Sequence, residues 1–109
     1  MNTDVLRAWA EKHDIENKTI DSFWSYINSF EEEENEAFFD TEIDKNQLML
    51  SISSIGLFIG SWNKDSYFQY GIDYITSYLA VIYNEQHLGD YKLFFTLDGE
   101  IFDDTFLPV

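Results

Sequence analysis

Cysteine is absent from these 109 residues, which excludes a disulfide framework and any thiolate metal site. Proline occurs once, glycine five times and histidine twice. Two imidazoles and no thiol leave little from which to build a nucleophilic or metal centre, and no GxSxG, Walker loop or HExxH is present. Bases are equally scarce: six Lys and Arg stand against 21 Asp and Glu, a formal net charge of -15. Arg7, Lys12, Lys18, Lys45, Lys64 and Lys92 are scattered singly among acids, so neither a phosphate-binding patch nor a surface attracted to anionic lipid is on offer. The longest mostly apolar stretch, Ile55 to Trp62, is too short to cross a bilayer, and Met1-Asn2-Thr3-Asp4 lacks the basic start and apolar run of a signal peptide. These absences predict a non-enzymatic cytoplasmic protein that needs no cofactor or metal and engages neither nucleic acid nor membrane.

What is present is a core. Leu, Ile, Val and Phe make up 33 residues, about 30%, above the roughly 20% below which a highly charged chain stays disordered. Ten Phe, seven Tyr and three Trp bury much area per residue, which helps a single 109-residue domain offset its ordering entropy and the self-repulsion of its charge.

From Thr3, a plausible N-cap residue, Val5, Leu6, Trp9, Ala10 and His13 follow helical spacing. After a polar break at Asp14 to Lys18, Ile20, Phe23, Trp24, Ile27 and Phe30 fall on one stripe of a second helix, with Trp24 expected in the core. Helix is therefore predicted within 3–30, then an acidic connector over 31–36, then mainly β structure over 37–107. Acids oppose the dipole at a helix C-terminus, so Glu31 to Glu34 mark the end of the helix and the loop beyond it. From Ala37 the period shortens to two, which predicts a strand through Phe39, Thr41 and Ile43. Asp44-Lys45-Asn46-Gln47 reads as a turn, and Leu48, Leu50 and Ile52 resume the alternation. It slips at Ser53-Ser54, where a bulge or break would restore the face, and Trp62-Asn63-Lys64-Asp65 ends the ribbon. Residues 66–83 fit one strand, a helix followed by a strand, or a helix; the β-favouring Tyr74 to Tyr83 select strand over 73–83.

Asn84 to Asp90, which contains His87, reads as a loop between strands. Asp98-Gly99 between two β-rich runs predicts a two-residue hairpin with Leu97 opposite Glu100, Phe95 opposite Phe102, Leu93 opposite Asp104 and Tyr91 opposite Phe106. Asp104 then points toward the core, unless a bulge at Asp103-Asp104 turns it out; the alternative is a partly enclosed carboxylate. The predicted fold is α+β: two N-terminal helices packed on an antiparallel sheet of four or five strands that ends in the Asp-Gly hairpin.

Paired carboxylates carry little catalytic signal among 21 acids. Asp40, Glu42 and Asp44 resemble the opening of a calcium loop, but Lys45 stands where its turn needs Gly and Ser51 where its bidentate Glu belongs. The distribution of charge does stand out: Glu31, Glu32, Glu33, Glu34, Glu36, Asp40, Glu42 and Asp44 put eight acids into residues 31–44. Such a field keeps an aromatic-rich domain soluble, and it also speeds association with a basic partner. A nuclease exposes a basic cleft, which an acidic protein can occupy as a competitor. The eight acids would supply the field, and Phe38, Trp62, Tyr67, Tyr70 or Tyr74 the aromatic anchors.

Residues 78–106 read YLAVIYNEQHLGDYKLFFTLDGEIFDDTF: a strand, a loop with Leu88-Gly89, the Asp98-Gly99 hairpin and its Asp103-Asp104 tail. In this final third, and in its small acidic α+β character, it resembles at class level the immunity proteins encoded beside bacterial polymorphic toxins, including contact-dependent growth inhibition systems. That resemblance implies cytoplasmic neutralisation of one cognate toxin, expected to be a basic nuclease, by direct binding; it assigns no binding residue. The alternatives are a DNA-mimicking inhibitor of host nucleic-acid enzymes and an acidic interaction module without inhibitory activity. Monomer and homodimer both remain open, since residues 55–59 could form an edge that pairs two chains.

Overall fold

A computed structural model of the chain describes residues 2–39, 43–62 and 71–109. Helices α1 (Thr3–Lys12) and α2 (Ile15–Glu34) precede the strands β1 (Met49–Phe58), β2 (Tyr74–Tyr83), β3 (Gln86–Phe95) and β4 (Ile101–Pro108). The four strands form one antiparallel sheet in the order β1-β2-β3-β4, an α+β arrangement in which each strand pairs with its neighbour in sequence. The helices cover one face. Ile15, Phe23 and Ile27 from α2 meet Leu79 and Val81 of β2 and Tyr91, Leu93 and Phe95 of β3 in a fully buried core. Trp24, expected there, is half-buried at the margin and lies edge-on to Phe23 with centroids 5.1 Å apart.

Local chemistry sets the helix ends. Asn2, one residue earlier than expected, caps α1 by accepting the Val5 N–H at 2.9 Å. The polar break predicted through Lys18 shrinks to His13 and Asp14, because Asp14 adopts the left-handed conformation (φ 53°) and α2 starts at once with the buried Ile15. The buried stripe of α2 is Ile15, Thr19, Phe23 and Ile27, at strict i, i+4 spacing. The Thr19 hydroxyl sits 2.7 Å from both the Ile15 carbonyl and the Ser77 hydroxyl, so one buried polar contact ties α2 to β2. The helix also continues past residue 30 to Glu34, where left-handed Asn35 (φ 53°) ends it.

The strand predicted from Ala37 is not found: the described residues 37–39, 43 and 44 are not extended ladder. Phe38 and Phe39, which alternation would place on opposite faces, are both half-buried. Phe38 packs edge-on against Tyr26, Phe30 and Phe106 at 5.7, 5.1 and 5.2 Å. Burying two adjacent rings in one cluster outweighs pairing a short acidic strand. Asp44 to Gln47 is the expected turn, a single 3-10 turn capped by the Asp44 carboxylate on the Asn46 N–H at 3.0 Å.

The register of β1 shifts between Ile52 and Ser54, the predicted slip. β2 spans Tyr74–Tyr83, as the β-branched and aromatic run predicts. The loop expected over 84–90 is only two residues, Asn84 and Glu85, both at positive φ (49° and 64°), so His87 lies within β3. In the last hairpin Leu93 opposes Asp104 and Tyr91 opposes Phe106 as predicted. The two-residue Asp98-Gly99 turn is not what closes it. A register shift at Phe94/Phe95 sets Phe95 against Ile101, and the loop is Leu97 to Gly99, closed by Thr96 N–H to Glu100 carbonyl (2.8 Å) and Gly99 N–H to Thr96 carbonyl (2.9 Å). Gly99 (φ 87°) lies against the His13 ring, where a Cβ would come within 2.3 Å of Nδ1. The Trp9 indole N–H donates to the Leu97 carbonyl at 2.8 Å, so α1 is fastened to this loop. Among the described residues no helix is long and apolar enough to cross a membrane.

Candidate functional site

The acidic tract comprises the last turn of α2 and the residues just beyond it. Glu32, Glu33, Glu34 and Glu36 are exposed, with no basic residue in the last turn of the helix. Their charge adds to the partial negative charge that unsatisfied carbonyls place at a helix C-terminus. Asp44 is exposed at the same end, because Lys45 beside it reaches back to α2.

Glu31 differs from its neighbours. One carboxylate oxygen pairs with Lys45 Nζ and the other accepts the Phe38 N–H at 3.0 Å. The Lys45 hydrogen bond, then that of Phe38, holds its carboxyl below the ordinary value of 4.5. Glu31 is thus a clamp that closes the connector onto the helix, with its charge already matched. Its contribution is complete above pH 4.5 and is lost as the pH falls through the lower value in the folded state. Glu31→Gln should lower the denaturation midpoint at neutral pH while Glu32→Gln does not, and the gap should close across that acidic window. Equal midpoints for the two variants at neutral pH would remove the clamp.

Of the predicted aromatic anchors among the described residues, Phe38 lies beside the acids, bonded through its N–H to Glu31, whereas Trp62 and Tyr74 do not. Phe38 is committed to the cluster at the end of α2. Trp62 is 84% exposed but follows the far end of β1, whose ten residues at about 3.3 Å each place it roughly 30 Å from Asp44. Tyr74, half-buried, stacks on Phe58 at 5.2 Å at that same far end. Asp40, Glu42, Tyr67 and Tyr70 lie outside the described residues.

Beside the acidic turn, a cleft of about 450 Å³ opens between α2 and β4. Ser22, Ser25, Ser29 and Glu33 line it along the helix, and Ile101 and Asp104 line it from the strand. The Tyr91 hydroxyl donates to Asp104 at 2.7 Å from the core side, so Asp104 is the partly enclosed carboxylate and no bulge turns it out. Burial, and then Asp104, push the Tyr91 phenol far above its usual range, so it remains a donor. Glu33 and Asp104 give the cleft two carboxylates and no base. A larger groove of about 790 Å³ between the helices' N-terminal part and β1 mixes Arg7 with Glu11, Asp14 and Glu16 and lacks this single sign.

The chain matches no protein-family model, no curated protein and no solved structure. Function therefore rests on the geometry alone.

That geometry gives little to acid–base chemistry. His87 Nε2 lies 2.8 Å from Asp90 Oδ1, but both side chains are exposed on β3 and line neither the cleft nor the groove. No group of three or more His, Asp or Glu among the described residues is placed to hold a metal ion. The serine stripe of the cleft was readable at 22, 25 and 29 as helical spacing, but only the fold shows that it faces Asp104.

Proposed function

We propose that this chain is an immunity-type inhibitor, a cytoplasmic protein that binds one basic bacterial toxin, most simply a nuclease, and occludes its active cleft. The observation that carries this reading is the end of α2, where four consecutive glutamates occupy a last turn that itself holds no base, and only Glu31 is matched, by Lys45 from beyond the helix. Three of them have no salt bridge among the described residues. Acids at that end cost helix stability, and solubility alone does not require placing them there. A positively charged target gives the placement a use: it raises the encounter rate and disfavours acidic or neutral competitors. Glu32, Glu33, Glu34, Glu36 and Asp44 would form the steering surface. Glu33 and Asp104 would receive a basic side chain in the neighbouring cleft.

The test is affinity capture on the full chain, from lysate of the source organism and from products of neighbouring genes, washed at rising salt. One basic partner, retained through moderate salt and losing its activity when bound, is the expected result. A broad set of DNA-binding proteins that elute together would overturn it in favour of DNA mimicry. Capture of nothing would leave the acidic surface as a solubility device.

A further inference from the structure

We infer that β1 is a self-association edge, through which two copies of this chain pair antiparallel about a two-fold axis at Ser53–Ser54. Among the described residues β1 has β2 on one side and no strand on the other. Long open edges are normally defended by charge or proline, because their unpaired backbone groups template further pairing. This one is undefended. Residues 46–63 contain no Asp, Glu, Lys, Arg, His or Pro, in a chain of which a quarter is charged.

The edge is also symmetric in character. Outward from Ser53 and Ser54 the sequence pairs Ile52 with Ile55, Ser51 with Gly56, Leu50 with Leu57, and Met49 with Phe58. In a regular strand such a pattern could not pair with itself. Residues three or seven apart point to opposite faces, whereas residues directly opposed across two strands share one face.

The bulge removes that obstacle. Leu50, Ile52, Ile55 and Leu57 lie opposite Val81, Leu79, Ser77 and Ile75 of β2, all on the helix-covered face. Met49, Ser51, Ser54, Gly56 and Phe58 lie opposite Ile82, Ala80, Tyr78, Thr76 and Tyr74 on the other. A second copy turned about the axis therefore sets Leu against Leu and Ile against Ile on one face, and Met49 against Phe58 on the other. Met49, 66% exposed, and Phe58, 36% exposed, would be covered by this pairing.

Charge selects the occupant. β1 itself offers a basic partner no carboxylate, those of Glu11, Asp14 and Glu16 standing across the groove from residues 52–55, whereas two copies of net charge -15 can pair backbone to backbone along a strand that carries no charge. Self-association should then strengthen with salt as the remaining repulsion is screened, opposite in sign to the binding of a basic toxin. The inference is independent of the inhibitor reading.

Sedimentation of the full chain over a range of concentration, at low and high salt, tests it. The expected result is a reversible monomer–dimer equilibrium with more dimer at high salt. Ser54→Glu, which sets like charges beside the axis, should abolish the dimer, and Asn28→Glu on the exposed side of α2 should leave it intact. Because the native chain has no cysteine, Ser54→Cys should give a cross-linked dimer on oxidation and Asn28→Cys should not, which decides the matter should Ser54→Glu fail to fold. A wild type that stays monomeric under every condition, a dimer that survives Ser54→Glu, or equal cross-linking at both cysteines would overturn the inference.

Discussion

Phe23→Ala is expected to lower unfolding free energy by about 3 to 5 kcal/mol, a large part of the roughly 5 to 15 kcal/mol available to a domain of this size. Phe23 has no exposed surface and meets Tyr91 edge-on at 5.6 Å and Trp24 at 5.1 Å. Removing the ring forfeits its transfer energy and opens a cavity between α2 and β3 that those neighbours cannot fill without leaving their own contacts. Tyr91 is tethered to Asp104, so it has little freedom to collapse inward. Trp24→Ala should cost less, since that ring is only partly buried, at the margin of the core. Urea denaturation of both variants measures the difference; a Phe23→Ala midpoint equal to that of Trp24→Ala would mean that the helix–sheet seam is not where the core resists.

The triple substitution of Glu32, Glu33 and Glu34 by Gln is expected to move binding and stability in opposite directions. All three are exposed at the negative end of α2, with no base in the last turn. Neutralising them should slow association with the captured basic partner about tenfold at low salt, within the range that electrostatic steering spans, and the difference should shrink as salt rises. Relief of the unfavourable dipole interaction, typically about 0.3 to 1 kcal/mol per charge, should leave the variant at least as stable as wild type. Glu31 is left in place because its charge is spent on Lys45 and Phe38. Stopped-flow association rates check the first expectation and thermal melting the second. An unchanged rate at low salt would remove this turn from the encounter.

How far the sequence revealed this arrangement depended on whether neighbours in the chain or distant residues decide the outcome. The slip at Ser53-Ser54 was legible because one face of β1 must stay on the core, and a period of two that changes phase has a bulge as its simplest repair. Leu93 opposite Asp104 followed from alternation alone, but the width of the loop did not, because Phe102 drops out of the pairing and Phe95 meets Ile101 instead. The strand misread at Ala37 had correct alternation and the wrong environment: Phe38 and Phe39 are claimed by Tyr26, Phe30 and Phe106, the last of them contributed from β4. Glu31 was indistinguishable from Glu32 to Glu34 until Lys45, fourteen residues on, selected it. The second wall of the cleft, Asp104, reaches α2 only through the pairing of β3 and β4, which no local spacing around Ser22 to Ser29 encodes.

The bond from the Trp9 indole to the Leu97 carbonyl joins residues 88 apart in sequence. On a ribosome adding about 5 to 20 residues per second, the α1 segment waits roughly 4 to 18 s before its acceptor is made. During that interval its apolar side has no final seat, and the sheet it will cover lacks its last hairpin. The domain should therefore mature as a closing step rather than by steady accretion, with hydrogen-exchange protection of α1 among the last to appear. A chain stopped short of residue 97 would carry the whole acidic turn yet lack the latch that holds its first helix, and would be exposed to proteolysis from its N-terminal end.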